Sequence, residues 1–128
     1  MNKQKRYFFR FLLPVILYLT IIFFLSSLPG KEIPDVELPY FDKILHLLEY
    51  AVLGFLLMRG VKNSELKFSN ISLIIFAAIF SVLYGLSDEF HQSFVPNRDA
   101  SLLDVLFDCI GGAVGSIVYT LSLRRMKS

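Results

Sequence analysis

Residues 84–108 read YGLSDEFHQSFVPNRDASLLDVLFD and gather five acidic side chains, one histidine and one arginine into a single segment. Runs of Phe, Ile, Leu and Val border and overlap it, from Ile71 to Leu86 and from Leu102 to Leu123. An ionised group facing hydrocarbon costs about 2.5 to 3.5 kcal/mol even on lenient insertion scales. Charge placed at the ends of such runs must therefore be hidden against other parts of the protein, and that requirement decides the fold.

The surrounding sequence has room for one domain, residues 1–128, and is 55% hydrophobic with 13 Phe. A soluble domain of this size could not bury so much apolar surface, so the composition indicates an integral membrane protein. Two further runs, Tyr7 to Leu28 and Ile44 to Met58, bring the candidate spans to four. A bilayer core of ~30 Å needs about 20 helical residues, so the second and third runs suffice only when polar residues at their ends are helical too. The expected architecture is an all-α bundle of four transmembrane helices over residues 7–28, 42–59, 70–92 and 101–123. Breaks fall at Pro29-Gly30, Pro34 and Pro39, at Lys62-Asn63-Ser64, and at Pro96-Asn97. The first run begins with basic residues and ends at Ser26-Ser27, as a signal peptide would. It is longer than a usual signal core and has no Ala-x-Ala site, which favours a retained helix. The single Cys109 excludes an internal disulfide and, within an apolar run, is expected to pack as a small hydrophobe.

Charge is segregated along the chain. Lys3, Lys5, Arg6, Arg10, Arg59, Lys62, Lys67, Arg124, Arg125 and Lys127 all fall on one side of a four-span arrangement. Only Lys31, Lys43 and Arg98 fall on the other, whereas every acid except Glu65 lies there or at membrane depth. Retained Lys and Arg mark the cytoplasmic side, so both termini are expected in the cytoplasm and the acids toward the outer face of the plasma membrane. The dispersed basic residues suit anionic lipid at a membrane edge, and nothing in the sequence supports heme, nucleotide or nucleic-acid binding.

Helical periodicity of about 100° per residue places Asp42, His46 and Glu49 on one stripe of the second helix. With a rise of ~1.5 Å per residue, Glu49 lies about 10 Å below Asp42. The third helix aligns Ser81, Tyr84, Asp88 and Gln92, and the fourth aligns Ser101, Asp104 and Asp108 with Gly111 and Gly115 continuing inward. These stripes are expected to turn toward one another and form a polar pocket that opens outward, with His91 and Arg98 near its mouth. Crowded carboxylates repel, and Lys43 and Arg98 cannot neutralise them all, so the acids must share protons or bind a cation.

Each residue also has a structural role available to it. Asp42 begins a helix and would serve as an N-cap, and Ser101-Leu102-Leu103-Asp104 fits a capping box. Glu49 and Asp108 lie too far into their helices for capping. His46 could pack by hydrogen bonding to Glu49 or Asp108. Glu89, about 100° from Asp88, is expected to face headgroups or water. Gly111-x-x-x-Gly115 is expected to mark a close helix contact.

The combination Asp42-Lys43-x-x-His46, Ser87-Asp88-Glu89-x-His91-Gln92, Phe94-Val95-Pro96-x-Arg98 and Ser101-x-x-Asp104, followed by Asp108 and Gly111-Gly112, resembles the VanZ-like family. The resemblance runs from about Leu28 to Tyr119. It implies a small multi-pass membrane protein and, through the founding member, a link to resistance against teicoplanin, a lipoglycopeptide that binds cell-wall precursors. It implies no particular biochemical activity. The sequence departs from the family at Asp108, where many members would carry Asn, which adds a negative charge or a proton here.

Three functions are compatible with such a site. In the first, it binds a polar or cationic group of a lipoglycopeptide antibiotic, a lipid-linked wall precursor or another envelope lipid. In the second, it is a membrane enzyme for a lipid-linked substrate, with His46, Glu49, Asp88 and His91 as the catalytic candidates. That enzyme would hold a divalent cation, for which His46, Glu49, Asp88, Asp104 and Asp108 are candidate ligands. Asp42, Lys43, Tyr84, Glu89, Gln92, Arg98, Ser101, Asp104 and Asp108 are the candidate ligand-binding residues. The third is a proton- or cation-coupled transporter, the reading least favoured by four short spans without an inverted repeat.

Overall fold

Each apolar run forms a helix in the computed structural model, which describes residues 1–32 and 37–127. The chain is all-helical among those residues, and four helices are long and apolar enough to cross a membrane: α1 (Lys3–Ser26), α2 (Phe41–Lys62), α3 (Asn70–Gln92) and α4 (Leu102–Lys127). The break expected at Pro34 lies outside the described residues.

Helix α1 starts earlier than its apolar run because Lys, Gln and Arg are good helix formers. The Asn2 side chain also accepts a hydrogen bond from the Lys5 N–H at 2.9 Å and so caps the first turn. Within α1, residues Phe8–Leu12 form a π turn, and the Leu13 N–H reaches back to the Phe8 carbonyl. The next residue, Pro14, has no N–H, and its ring would press on the carbonyl of Arg10 in a regular helix. A turn widened by one residue just before the proline relieves that conflict. Helix α3 has a Ser69 cap, whose hydroxyl accepts from the Ser72 N–H at 3.1 Å.

Successive helices run in opposite directions, and side-chain contacts identify which ends meet. At one end the Lys3 ammonium donates to Glu65 at 2.6 Å, the Tyr7 hydroxyl donates to the Gly60 carbonyl at 2.8 Å, and Asn63 reaches the Tyr119 hydroxyl at 3.2 Å. At the other end Ser27 meets His91 at 2.8 Å, and the Gly30 N–H donates to the Pro96 carbonyl at 3.1 Å. Lys3, Lys5, Arg6, Arg59, Lys62, Lys67, Arg124 and Arg125 therefore gather at the first end. Asp42, Asp88, Glu89, Asp104 and Asp108 gather toward the second.

Helix α4 is central and packs closely on α2 and α3. A Cβ at Gly111 or Gly115 would run into the carbonyl of Leu47 or Ala51 on α2. The expected close contact is present, and small residues there let backbones approach in a membrane, where no hydrophobic force draws helices together. Val15, Ile22, Tyr50, Leu53, Leu57 and Ala77 form the main apolar core, while Met58, Leu73 and Tyr119 form a second one nearer the basic end. Helix α1 lies at the edge and is tied on along its length by hydroxyls, with two more beyond that of Tyr7. Tyr18 on α1 donates to the Glu49 carbonyl at 2.9 Å, and Tyr84 on α3 donates to the Leu19 carbonyl at 2.7 Å. Exposed Ile, Leu, Val and Phe side chains cover the outside of all four helices, as a lipid-facing surface requires.

Candidate functional site

The site is assembled around His46, one turn inside the start of α2. Its Nδ1 lies 2.9 Å from Asp108 Oδ1 on α4. With Asp108 ionised, its carboxylate can only accept, and Nδ1 then carries the proton in this contact. The opposite nitrogen, Nε2, faces Asp104 Oδ2 at 3.8 Å and Glu89 Oε1 at 4.0 Å. The imidazole is stacked near Tyr50, with ring centroids 6.4 Å apart and planes 17° apart, and Tyr50 is fully buried. Helix spacing explains the arrangement: Asp104 and Asp108 are four residues apart on one face of α4 and meet the face of α2 that carries Lys43 and His46.

Lys43 provides the cation nearest this cluster. Its ammonium lies 2.6 Å from Asp42 Oδ2 and 2.5 Å from Asp104 Oδ1, bridging the exposed rim to the interior. Asp108 is 0% exposed and sits against Gly85 of α3, where a Cβ would overlap Asp108 Oδ2. Glycine at position 85 lets α3 close over that carboxylate without displacing it. On α3, Gln92 donates from Nε2 to Asp88 Oδ2 at 3.2 Å, and the buried Ser26 of α1 lies beside Asp88. Glu49 is half-buried one turn below His46, and Arg98, with Nε buried, is within electrostatic reach of Asp88 and Glu49.

Three helices thus converge as the polar stripes anticipate, but four details differ. Asp42 is no N-cap: Tyr40, in the left-handed region at φ 59°, precedes the helix, and the Asp42 side chain is 64% exposed at the rim beside Lys43. The Ser101–Asp104 capping box is replaced by a contact between helices, because the Ser101 N–H donates to Glu89 Oε2 at 2.6 Å and Asp104 pairs with Lys43. Glu89 does not face headgroups or water; it is buried, with Oε1 aimed toward His46. Finally, the acids are packed together in the bundle rather than lining an open chamber, and Lys43 and His46, each with 12% side-chain exposure, form the accessible edge.

The other candidates have separate engagements. His91 faces α1, where it meets Ser27 at 2.8 Å and stacks on Phe23 at 4.6 Å between centroids. The two histidines therefore do not share one centre. The hydroxyl of Tyr84 is committed to the Leu19 carbonyl, and Ser101 contributes its backbone N–H. Sequence periodicity missed Ser26 and misjudged Glu89. The available signal was the Ser101 N–H just before α4, an orphan donor at a helix start that needs an acceptor from somewhere.

The family model described as VanZ/LLP1 matches residues 5–123, and the chain belongs to that family. No curated protein and no solved structure matches it.

Proposed function

We propose that this VanZ/LLP1 protein engages a polar or cationic group of an envelope lipid, a lipid-linked wall precursor or a lipoglycopeptide at the outer leaflet. The observation that carries the reading is the burial of Asp88, Glu89, Asp104 and Asp108 around His46 at the end of the bundle opposite the basic rim. With that rim in the cytoplasm, as the positive-inside bias favours, the acids belong to the extracytoplasmic side of the plasma membrane. Acidic groups between low-dielectric walls attract cations, and the exposed Asp42, paired with Lys43, gives a ligand a polar edge to approach. Reduced susceptibility to teicoplanin is one phenotype such capture would produce.

Protein in lipid nanodiscs, titrated separately with a lipid-linked wall precursor and with teicoplanin, tests this reading. Saturable binding of one of them, weakened at least about tenfold in both His46→Ala and Lys43→Ala, is the expected result. Absence of binding to both ligands by the wild type contradicts it. A second reading, catalysis on a lipid-linked substrate, draws support from the orientation of His46 by Asp108, which leaves Nε2 to act as a base or ligand. Turnover of the bound precursor that disappears in His46→Ala would distinguish catalysis from capture.

A further inference from the structure

The residues around His46 divide their polar atoms in a consistent way. His46 commits Nδ1 to Asp108 Oδ1 at 2.9 Å and leaves Nε2 uncommitted. Glu89 commits Oε2 to the Ser101 N–H at 2.6 Å, while its Oε1 is buried and makes no hydrogen bond. Asp104 commits Oδ1 to the Lys43 ammonium at 2.5 Å, and Oδ2 faces the imidazole. Each residue is thus held by one atom and presents another to a common point. One ligand atom from each of the three lies within 4.8 Å of the others.

We propose that His46 Nε2, Glu89 Oε1 and Asp104 Oδ2 bind one divalent cation of the zinc or manganese type. Four observations support the assignment. First, ligands ~2.1 Å from a metal at tetrahedral angles lie about 3.4 Å apart, and the Nε2 separations of 3.8 and 4.0 Å require only small side-chain shifts to reach this. Second, every ligand has an outer partner: Asp108 for His46, the Ser101 amide for Glu89, and Lys43 for Asp104. Such partners fix the tautomer and orientation of metal ligands. Third, charge suits the ion, because the two carboxylate ligands, Glu89 and Asp104, bring negative charge that a divalent cation offsets. Fourth, a donor set of one imidazole and two carboxylates suits zinc and manganese better than calcium, which takes six to eight oxygens.

Three protein ligands leave a coordination position open, which distinguishes a site that meets a ligand from a closed structural one. The inference rests on the same cluster as the outer-leaflet reading and supplies what that reading lacks for an anionic headgroup. A cation held there would let a phosphate or carboxylate approach an otherwise acidic surface.

The test uses the full chain in detergent without added lipid, stripped with a chelator and then titrated with zinc, manganese or magnesium chloride. Metal content after gel filtration and the nitrogen resonances of labelled histidine are read, with His91→Gln leaving His46 as the one histidine. One zinc or manganese per chain is expected, together with a shift of Nε2 while Nδ1 remains protonated. Glu89→Gln and Asp104→Asn should each weaken binding by more than about a hundredfold, and Asp108→Asn by about ten- to a hundredfold. Failure of the wild type to take up zinc or manganese stoichiometrically overturns the proposal, as does an Nε2 resonance that zinc leaves unmoved. Uptake unchanged in both Glu89→Gln and Asp104→Asn overturns it as well. A variant that does not fold leaves the decision to the wild-type stoichiometry and the His46 resonance. Failure of metal uptake together with binding of the precursor or teicoplanin by the same protein would show that the outer-leaflet reading stands while this one falls.

Discussion

The two ends of the bundle handle charge in opposite ways. At the basic end, cations sit on the outside: Lys3 and Glu65 pair at 2.6 Å with both side chains more than four-fifths exposed. The hydrogen bond and charge of Lys3 hold the Glu65 carboxyl below its usual range, yet water surrounds both groups. At the acidic end, Asp88, Glu89, Asp104 and Asp108 are buried, and their partners come from neighbouring helices. Exposed pairs are screened and add little. Buried ones bring a large desolvation cost, offset only where geometry and hydrogen bonding are good. The difference separates an end whose charges are solvated from an end whose charges are held in place by the fold.

The largest effect on this contrast is expected from closing the space that lets the helices meet. Gly115→Val places side-chain atoms against the Ala51 carbonyl. It should lower stability by about 3 kcal/mol or more and disperse the acidic cluster, read as loss of the monodisperse peak and of the unfolding transition. Lys43→Met comes next. It leaves the buried Asp104 without its ammonium, and a loss of about 2 to 4 kcal/mol is expected. Adding Asp104→Asn should restore part of it; no recovery in the double variant would mean that Lys43 acts by packing alone. The smallest effect belongs to the opposite end, where Glu65→Gln should leave thermal stability unchanged. A clear destabilisation there would erase the contrast.

Much of this organisation could be read in the sequence. Apolar runs located all four helices, and the i, i+4 spacing of Asp104 and Asp108, with His46 on α2, identified residues that do meet. Helix ends were less legible, because Lys3 to Arg6 are polar and Arg59 and Lys62 interrupt an apolar run, yet all of them continue the helices. Glu89 was hidden for a different reason. A stripe drawn on one helix assumes one buried face, but the 93–101 connection folds back and brings the start of α4 against a second face of α3. The exchange of capping partners has the same origin: in the sequence Asp104 stands at capping-box spacing from Ser101, and in three dimensions Glu89 accepts its N–H. Tyr40 and Asn97, at φ 59° and 58°, set the connections that create these encounters; Asn after Pro96 signals a left-handed turn, whereas Tyr40 does not.

Everything proposed for the acidic end depends on His46 and Asp108 acting together inside the bundle. A double-mutant cycle of His46→Phe and Asp108→Leu, measured by reversible unfolding in bicelles, tests that dependence most directly. A favourable coupling of about 2 kcal/mol is predicted, with the double variant more stable than the sum of the single losses implies. Losses that add to within about 0.5 kcal/mol would mean that the two side chains are independent, and would contradict the buried site.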